Sequence, residues 1–233
     1  MVVRAAVISL GLVWAGASGF SASAQAVDEV DPFENVSDTV VDIAGWVIAT
    51  GDNRGMPFAV VDKEAAQVLV FDADGKIQGL APVLIGSAVG DDSAPGVDER
   101  ELKDIPAKDR TTPAGRYLAG YGPAAGGKSV LWVDYATAVA LHPLAKTSPK
   151  KEKRKQRLAS ATAEDNRITH GCINVSSAFY TKIIRTTFTT GGVFYVLPDS
   201  MPLTAAFPGF EPTGRFASAK QGNGGASSSF TAR

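Results

Sequence analysis

Between Phe58 and Leu197 the chain alternates short apolar runs with polar, turn-forming breaks. FAVVD at 58–62 and QVLVF at 67–71 are rich in valine and aromatics, and the connector KEAA joins them. β-Branched and aromatic residues clustered over five positions read as strands. DADGK at 72–76 carries Asp-Gly turn chemistry, and IQGLAPVLIG continues as a third strand. A three-stranded meander is therefore expected between Pro57 and Gly86. Residues 90–110 are polar and proline-bearing and read as a loop. TTPAGRYLAGYG combines a Thr-Pro-x-Gly turn, Thr112 to Gly115, with a strand. VLWVDYATAVALHPL at 130–144 supplies one or two strands more and ends at His142-Pro143. The proline biases His142 toward an extended backbone, as at a strand's end.

One segment changes period. In SSAFYTKIIRTTF the serines are N-cap candidates, and Phe179, Ile183 and Ile184 fall on one helical face. GGVFYVLP at 191–198 returns to a strand ended by proline. Upstream, residues 25–54 form an acidic segment of weak periodicity, in which VVDIAGWVIA reads as a short strand or a helix that docks on the domain. GDNRGMP at 51–57 is a turn-rich boundary. Beyond 200 the composition drifts to Gly, Ser and Ala, most clearly from about 212, so 201–233 reads as a low-complexity, disordered tail. No internal repeat is visible. The order of elements predicts one mainly-β domain with a short helix over 55–200.

The first 24 residues have another logic. MVVR is a positive start, AAVISLGLVWAG an apolar stretch, and Ala22-Ser23-Ala24 a cleavage signal. That is the pattern of a secretory signal peptide and too short for a membrane anchor. No twin arginine precedes the apolar stretch, and no cysteine follows the cleavage point. The rest of the chain offers no other span, so a soluble, exported, periplasmic protein is expected, with no stable membrane insertion. Its formal charge of −1 gives no reason to expect nucleic acid. The one strong charge run lies at 146–157, with seven Lys/Arg against one Glu, inside a segment, 146–165, that reads as an insertion. Such a run is either a solvated face or a patch for an anionic polymer or surface.

The chain has one cysteine and two histidines, and RITHGCINV at 167–175 holds the cysteine and one histidine. An unpaired thiol in an exported protein needs a reason. Cys172 is either an inert buried thiol or a nucleophile, and a nucleophile needs a base or a positive environment. His170 is two residues away, on the same face if the stretch is extended. His142 is distant in sequence, as a folded partner can be. Amides left unpaired around Gly171 and Cys172 would form an oxyanion hole, and the serines that follow suggest a helix N-terminus near the sulfur. A zinc site built from His142, His170 and Cys172 is the other reading, but no known zinc spacing is matched.

Thr169-His170-Gly171-Cys172-Ile173-Asn174 resembles the signature of the L,D-transpeptidase (YkuD-type) catalytic domain: Ser or Thr, His, Gly, Cys, an aliphatic residue, then Asn or Arg. His142 resembles that family's other histidine, FAVVDKEAAQVLVFDADGKI its opening hairpin, and Thr112-Pro113-Ala114-Gly115 its TPxG turn. The resemblance covers about 58 to 198. It implies a mainly β, sandwich- or barrel-like fold with one short α-helix after the cysteine motif, acting on peptidoglycan stem peptides without cofactor or metal. On it, Cys172 matches the nucleophile and His142 the base. His170 and Gly171 match the turn that contributes oxyanion-hole amides, and Thr169 and Asn174 support the loop.

The implied reaction is attack on the L-centre carbonyl of a diamino acid, loss of D-alanine, and transfer of the thioester-bound stem to an amine, giving a 3→3 crosslink. Water as acceptor would make the same site an L,D-carboxypeptidase or crosslink hydrolase, and a non-catalytic wall-binding protein is the alternative from another class. One departure stands out. The family's first histidine usually lies closer to the motif, whereas 26 residues separate His142 from Thr169. The excess coincides with the basic run, so the insertion accounts for it. It would then sit at the catalytic mouth, guiding anionic stems or covering the cleft. The alternative makes His142 structural and His170 the base. Oligomeric state is not legible.

Overall fold

The computed structural model describes residues 36–124, 127, 129–145 and 148–211. The segment read as a signal peptide, the start of the acidic segment, Lys146 of the basic run and the tail from 212 lie outside the described residues.

VVDIAGWVIA is part of a helix, α1 (Asp38–Thr50). Ser37 caps it, accepting from the Val40 amide at 3.3 Å while its hydroxyl donates to Asp62 at 2.6 Å. Gly51 closes it at φ 67°, a left-handed C-cap that glycine adopts without a Cβ penalty. Val40, Ile43, Ala44 and Val47 recur at the helical period and are buried.

The expected meander forms from β1 (Phe58–Asp62), β2 (Gln67–Phe71) and β3 (Ile77–Pro82), paired antiparallel. The third strand is shorter than IQGLAPVLIG suggested. β3 ends at Pro82, which has no N–H for a ladder, and β4 (Ile85–Gly86) leaves the meander to pair in parallel with β8 (Arg167–Thr169). The other strands are β5 (Gly115–Pro123), β6 (Ser129–Asp134), β7 (Val139–Pro143), β9 (Ile173–Val175) and β10 (Gly192–Val196). They build one eight-stranded sheet in the order β3-β2-β1-β10-β5-β6-β7-β9. Its two ends nearly meet. Leu84, two residues past β3, exchanges both amide hydrogen bonds with Asn174 of β9 at 2.8 Å, so the sheet curls into an almost closed barrel. That also removes an open edge.

β1 and β10 are buried at every residue because both faces are covered. Phe58, Val60, Val193 and Tyr195 face α1. Ala59, Val61, Phe194 and Val196 face a second cluster with Leu131, Leu141 and Ile173. The latter cluster is roofed by a helical run: α3 (Ser177–Phe179), a π-turn over Tyr180–Ile184, and α4 (Arg185–Thr187). Ser176 caps it through the Phe179 amide at 3.1 Å, as the serines suggested. The buried line is Tyr180, Ile184 and Phe188, with Phe179 and Ile183 half-buried at its flank.

The tail boundary moves. Residues 201–211 are folded, with α5 (Leu203–Ala206) followed by buried Phe207 and Phe210. Phe210 packs edge-on to Trp46 at 5.7 Å, and the Trp46 indole donates to the Gly209 carbonyl at 3.1 Å. Two phenylalanines are enough to anchor a stretch whose composition otherwise reads as low-complexity. Among the described residues no helix is long and apolar enough to cross a membrane.

A buried ionic clasp holds the long loop before β5. The Lys63 ammonium, with a fully inaccessible side chain, donates to Gly90 O at 2.7 Å, Asp91 at 2.9 Å and Thr112 O at 3.1 Å, and lies 3.2 Å from Asp199. Asp91 in turn accepts from the amides of Asp199, Ser200 and Met201. Burial disfavours both carboxylates. The Asp199, Met201 and Ser200 amides with Lys63 reverse this at Asp91; Arg167, the Gly90 amide and Lys63 reverse it at Asp199, and both are held below the usual range.

Candidate active site

The motif turn is built from its own side chains. Gly171, between β8 and β9, has φ 128°, and a Cβ there would meet the Thr111 carbonyl at 2.7 Å. Only glycine fits. The Thr169 hydroxyl donates to Cys172 O at 2.7 Å and accepts from the Gly171 amide at 3.2 Å. From the TPxG turn, the Thr112 hydroxyl donates to Gly171 O at 2.7 Å and accepts from the Gly86 amide at 2.9 Å. Thr112, with its carbonyl on Lys63, thus ties the motif to the buried clasp. Its position in the TPxG turn was legible; this bond was not.

Three expectations change here. The chain is not extended from His170 to Cys172, because Gly171 turns it, so the argument for a shared face fails. The Gly171 amide is not free for an oxyanion. The helix begins only at Ser177, beyond the whole of β9, on the order of 10 Å of strand from Cys172, too far for its dipole to act on the sulfur.

His142 lies on β7, beside β9. The two strands run parallel, with Leu141 opposite Ile173 and His142 opposite Asn174. The insertion therefore does not separate the histidine from the motif. The imidazole Nδ1 is 2.9 Å from Pro143 O, and Nε2 is 3.1 Å from the side-chain amide nitrogen of Asn174. The Cys172 thiol donates toward Ala138 O at 3.8 Å. Cys172 comes just before β9 and His142 lies on β7, and the two side chains share no hydrogen bond. Burial pushes the Cys172 thiol up, opposed by the Ala140 amide and the Arg154 charge. Burial likewise lowers His142, with Arg154 adding to it against the Pro143 carbonyl. His170 is lowered by burial and by Arg110 and Arg154, and its ring has no hydrogen-bond partner among the described residues. Both shifts favour the uncharged forms of thiol and imidazole. The three side chains do not gather as a metal site would require, and no group of three His, Cys, Asp or Glu that could hold an ion occurs among the described residues.

The basic run is neither wholly solvated nor a simple patch. Lys150, Lys151, Lys153 and Lys155 are exposed, but Arg154 and Arg157 turn in. In α2 (Arg154–Leu158), Arg157 binds the carbonyls of Glu152 and Asp165. Arg154 pairs with Glu152 at 2.6 Å and donates to the Asn174 side-chain oxygen at 2.7 Å. Arg154 was invisible in the sequence because a run of like charges gives no hint of which member turns toward the motif. The insertion also walls a cleft of about 960 Å³ lined by Leu144, Lys150, Lys153, Arg154, Leu158 and Ser176 among others.

No family model matches the chain, and no curated protein does. Solved structures do. The helical cell shape determining protein Pgp2 from Campylobacter jejuni aligns over 63% of this chain at 16% identity and a TM-score of 0.42; the chain spans about half of that protein, 49%. An L,D-transpeptidase from Xylanimonas cellulosilytica (14% identity, TM-score 0.36) covers 61% of this chain and 60% of its own. The LD transpeptidase LdtMt1, solved in complex with imipenem (16% identity, TM-score 0.34), covers 60% and 58%. Likenesses this distant fix neither the family nor the reaction.

Proposed function

We infer that the chain is a peptidoglycan-remodelling cysteine acyltransferase of the L,D-transpeptidase type, exported and soluble, with Cys172 as nucleophile and His142 as its base. The observation that carries this reading is the parallel register of β7 on β9, which sets His142 opposite Asn174, two residues past the only thiol. Nδ1 faces a carbonyl, which only accepts, so the proton sits there and Nε2 is the basic nitrogen. His170 is the weaker candidate, because its ring has no partner to fix its tautomer.

In the reaction, Nε2 exchanges Asn174 for the thiol and takes its proton as sulfur bonds to the L-centre carbonyl carbon of a stem tetrapeptide. The bond to D-alanine breaks, and the imidazolium returns the proton to the departing amine. An acceptor amine then displaces the sulfur and forms the 3→3 amide; water in its place gives the free acid. Thr169, Gly171 and Thr112 hold the turn.

The test is incubation of the purified protein with a disaccharide tetrapeptide, with products read by mass spectrometry. Dimer or released D-alanine is expected from wild type, and neither from Cys172→Ala. Products from the Cys172→Ala variant would overturn the reading. Dimer against tripeptide separates transfer from hydrolysis.

A further inference from the structure

Arg154 lies in the insertion, outside the motif, yet it contacts the motif's buried asparagine. A guanidinium only donates, so the Asn174 atom it meets at 2.7 Å is the carbonyl oxygen. That turns the Asn174 NH₂ toward His142, 3.1 Å from Nε2. A donor there requires a bare Nε2, and the proton must sit on Nδ1, where the Pro143 carbonyl receives it at 2.9 Å. Both ends of this relay have a single possible role, donor at Arg154 and acceptor at Pro143, and they demand the same tautomer. Glu152, 2.6 Å behind the guanidinium, aims it. Asn174 is fully buried, so no water competes for its amide.

We propose that Arg154 is a positioning residue that fixes His142, through Asn174, as the neutral Nδ1–H imidazole with Nε2 as its acceptor. Without Arg154, the Asn174 amide is free to flip. Its oxygen would then face Nε2 while Pro143 O faces Nδ1, two acceptors around one ring, which favours the imidazolium. Loss of the Arg154 charge acts in the same direction. The other titratable and charged groups on the surrounding elements are Glu152 on the insertion and Cys172 and His170 on the motif turn, with Arg110 acting on His170. On this account the insertion is a structural part of the site, and not only a spacer. Its bearing on catalysis rests on the reading of His142 as the base; the tautomer itself does not.

The experiment is two-bond proton–nitrogen NMR on full-length protein labelled with ¹⁵N-histidine, from pH 5 to 9. The chain has two histidines, and His170→Asn identifies the His142 signals. Wild type is expected to show Nδ1–H with pyridine-like Nε2. Arg154→Met is expected to raise the His142 midpoint by about half a pH unit or more. Arg154→Lys, which restores a donor-only cation, is expected to return it toward wild type. Asn174→Asp places a carboxylate on Nε2 and is expected to keep His142 protonated above pH 7. A wild-type Nε2–H tautomer overturns the proposal. So does a folded Arg154→Met protein with an unchanged tautomer and midpoint; if that variant does not fold, a neutral His142 at pH 7 in Asn174→Asp overturns it. Loss of the acyltransferase reading through an active Cys172→Ala enzyme would leave the NMR result standing, so the two fail separately.

Discussion

Replacing Lys63 by methionine keeps the stem and removes the charge from the centre of the clasp. In the native protein Lys63, Asp91 and Asp199 have side chains that are 0%, 4% and 5% exposed, so water cannot replace the ammonium. Breaking a buried ion pair from one side costs about 3–5 kcal/mol, because the partners are left uncompensated. Against a total of about 5–15 kcal/mol for a typical domain, that is a large fraction. It corresponds to roughly 6–20 °C in Tm for a domain of this size. The pH dependence carries the sharper test. Asp91 and Asp199 are held below the ordinary aspartate value of 3.8, so their stabilisation is full above it and is lost as pH falls through their lower native values. In Lys63→Met both carboxylates lose a cause of that depression and protonate at higher pH. The stability gap between wild type and variant is therefore widest near pH 7 and narrows toward pH 4. Urea unfolding from pH 7 to 4 measures it. A gap under about 1 kcal/mol at pH 7 refutes the energetic argument, and a gap that does not change with pH refutes the linkage.

The motif turn and the thiol give two further expectations. Gly171→Ala adds a clash with the Thr111 carbonyl to the strain of its positive φ, whereas Gly55→Ala, at φ 69° with nothing within 4 Å, carries strain alone. By urea unfolding Gly171→Ala is expected to cost more by about 1 kcal/mol or over; equal costs would show that the close approach is not real. Because burial raises the Cys172 thiol above its ordinary 9.0, alkylation of the free protein by iodoacetamide is expected to quicken about tenfold per unit from pH 6 to 8. A flat rate there means a preformed thiolate and contradicts the raised thiol. In the same picture, turnover has its acid limb below pH 6.5, since a lowered His142 stays neutral until then.

The strands most legible in the sequence are those whose evidence is local. FAVVD, QVLVF and GVFYV are runs of β-branched and aromatic residues, and burial on both faces of β1 and β10 explains why they are continuous rather than alternating. VVDIAGWVIA stayed ambiguous because it mixes β-branched residues with a helical spacing; the Ser37 cap and Gly51 decide it. The break at Pro82 was readable in principle, since proline cannot donate to a ladder. The near-closure of the sheet through Leu84 and Asn174 was not, because it joins segments about ninety residues apart and leaves no periodicity. In the candidate site, Thr169, Gly171, Asn174 and Cys172 were legible as a motif. Arg154 was not, because its role depends on which face of the insertion meets β9.

The 26 residues between His142 and Thr169 show why linear spacing is a poor guide to this site. β7 and β9 are parallel neighbours, so a crossover must join them whatever its length. Once it exists, doubling it costs only about 0.6 kcal/mol of closure entropy. His142 meets Asn174 through strand register, which the insertion leaves untouched. What length alone cannot supply is a second anchor, and Arg154 on Asn174, with Glu152 behind it, provides one. A segment that merely looped out would have no reason to place a half-buried cation against the motif. Its attachment there couples the insertion, through Asn174, to the histidine proposed as the base.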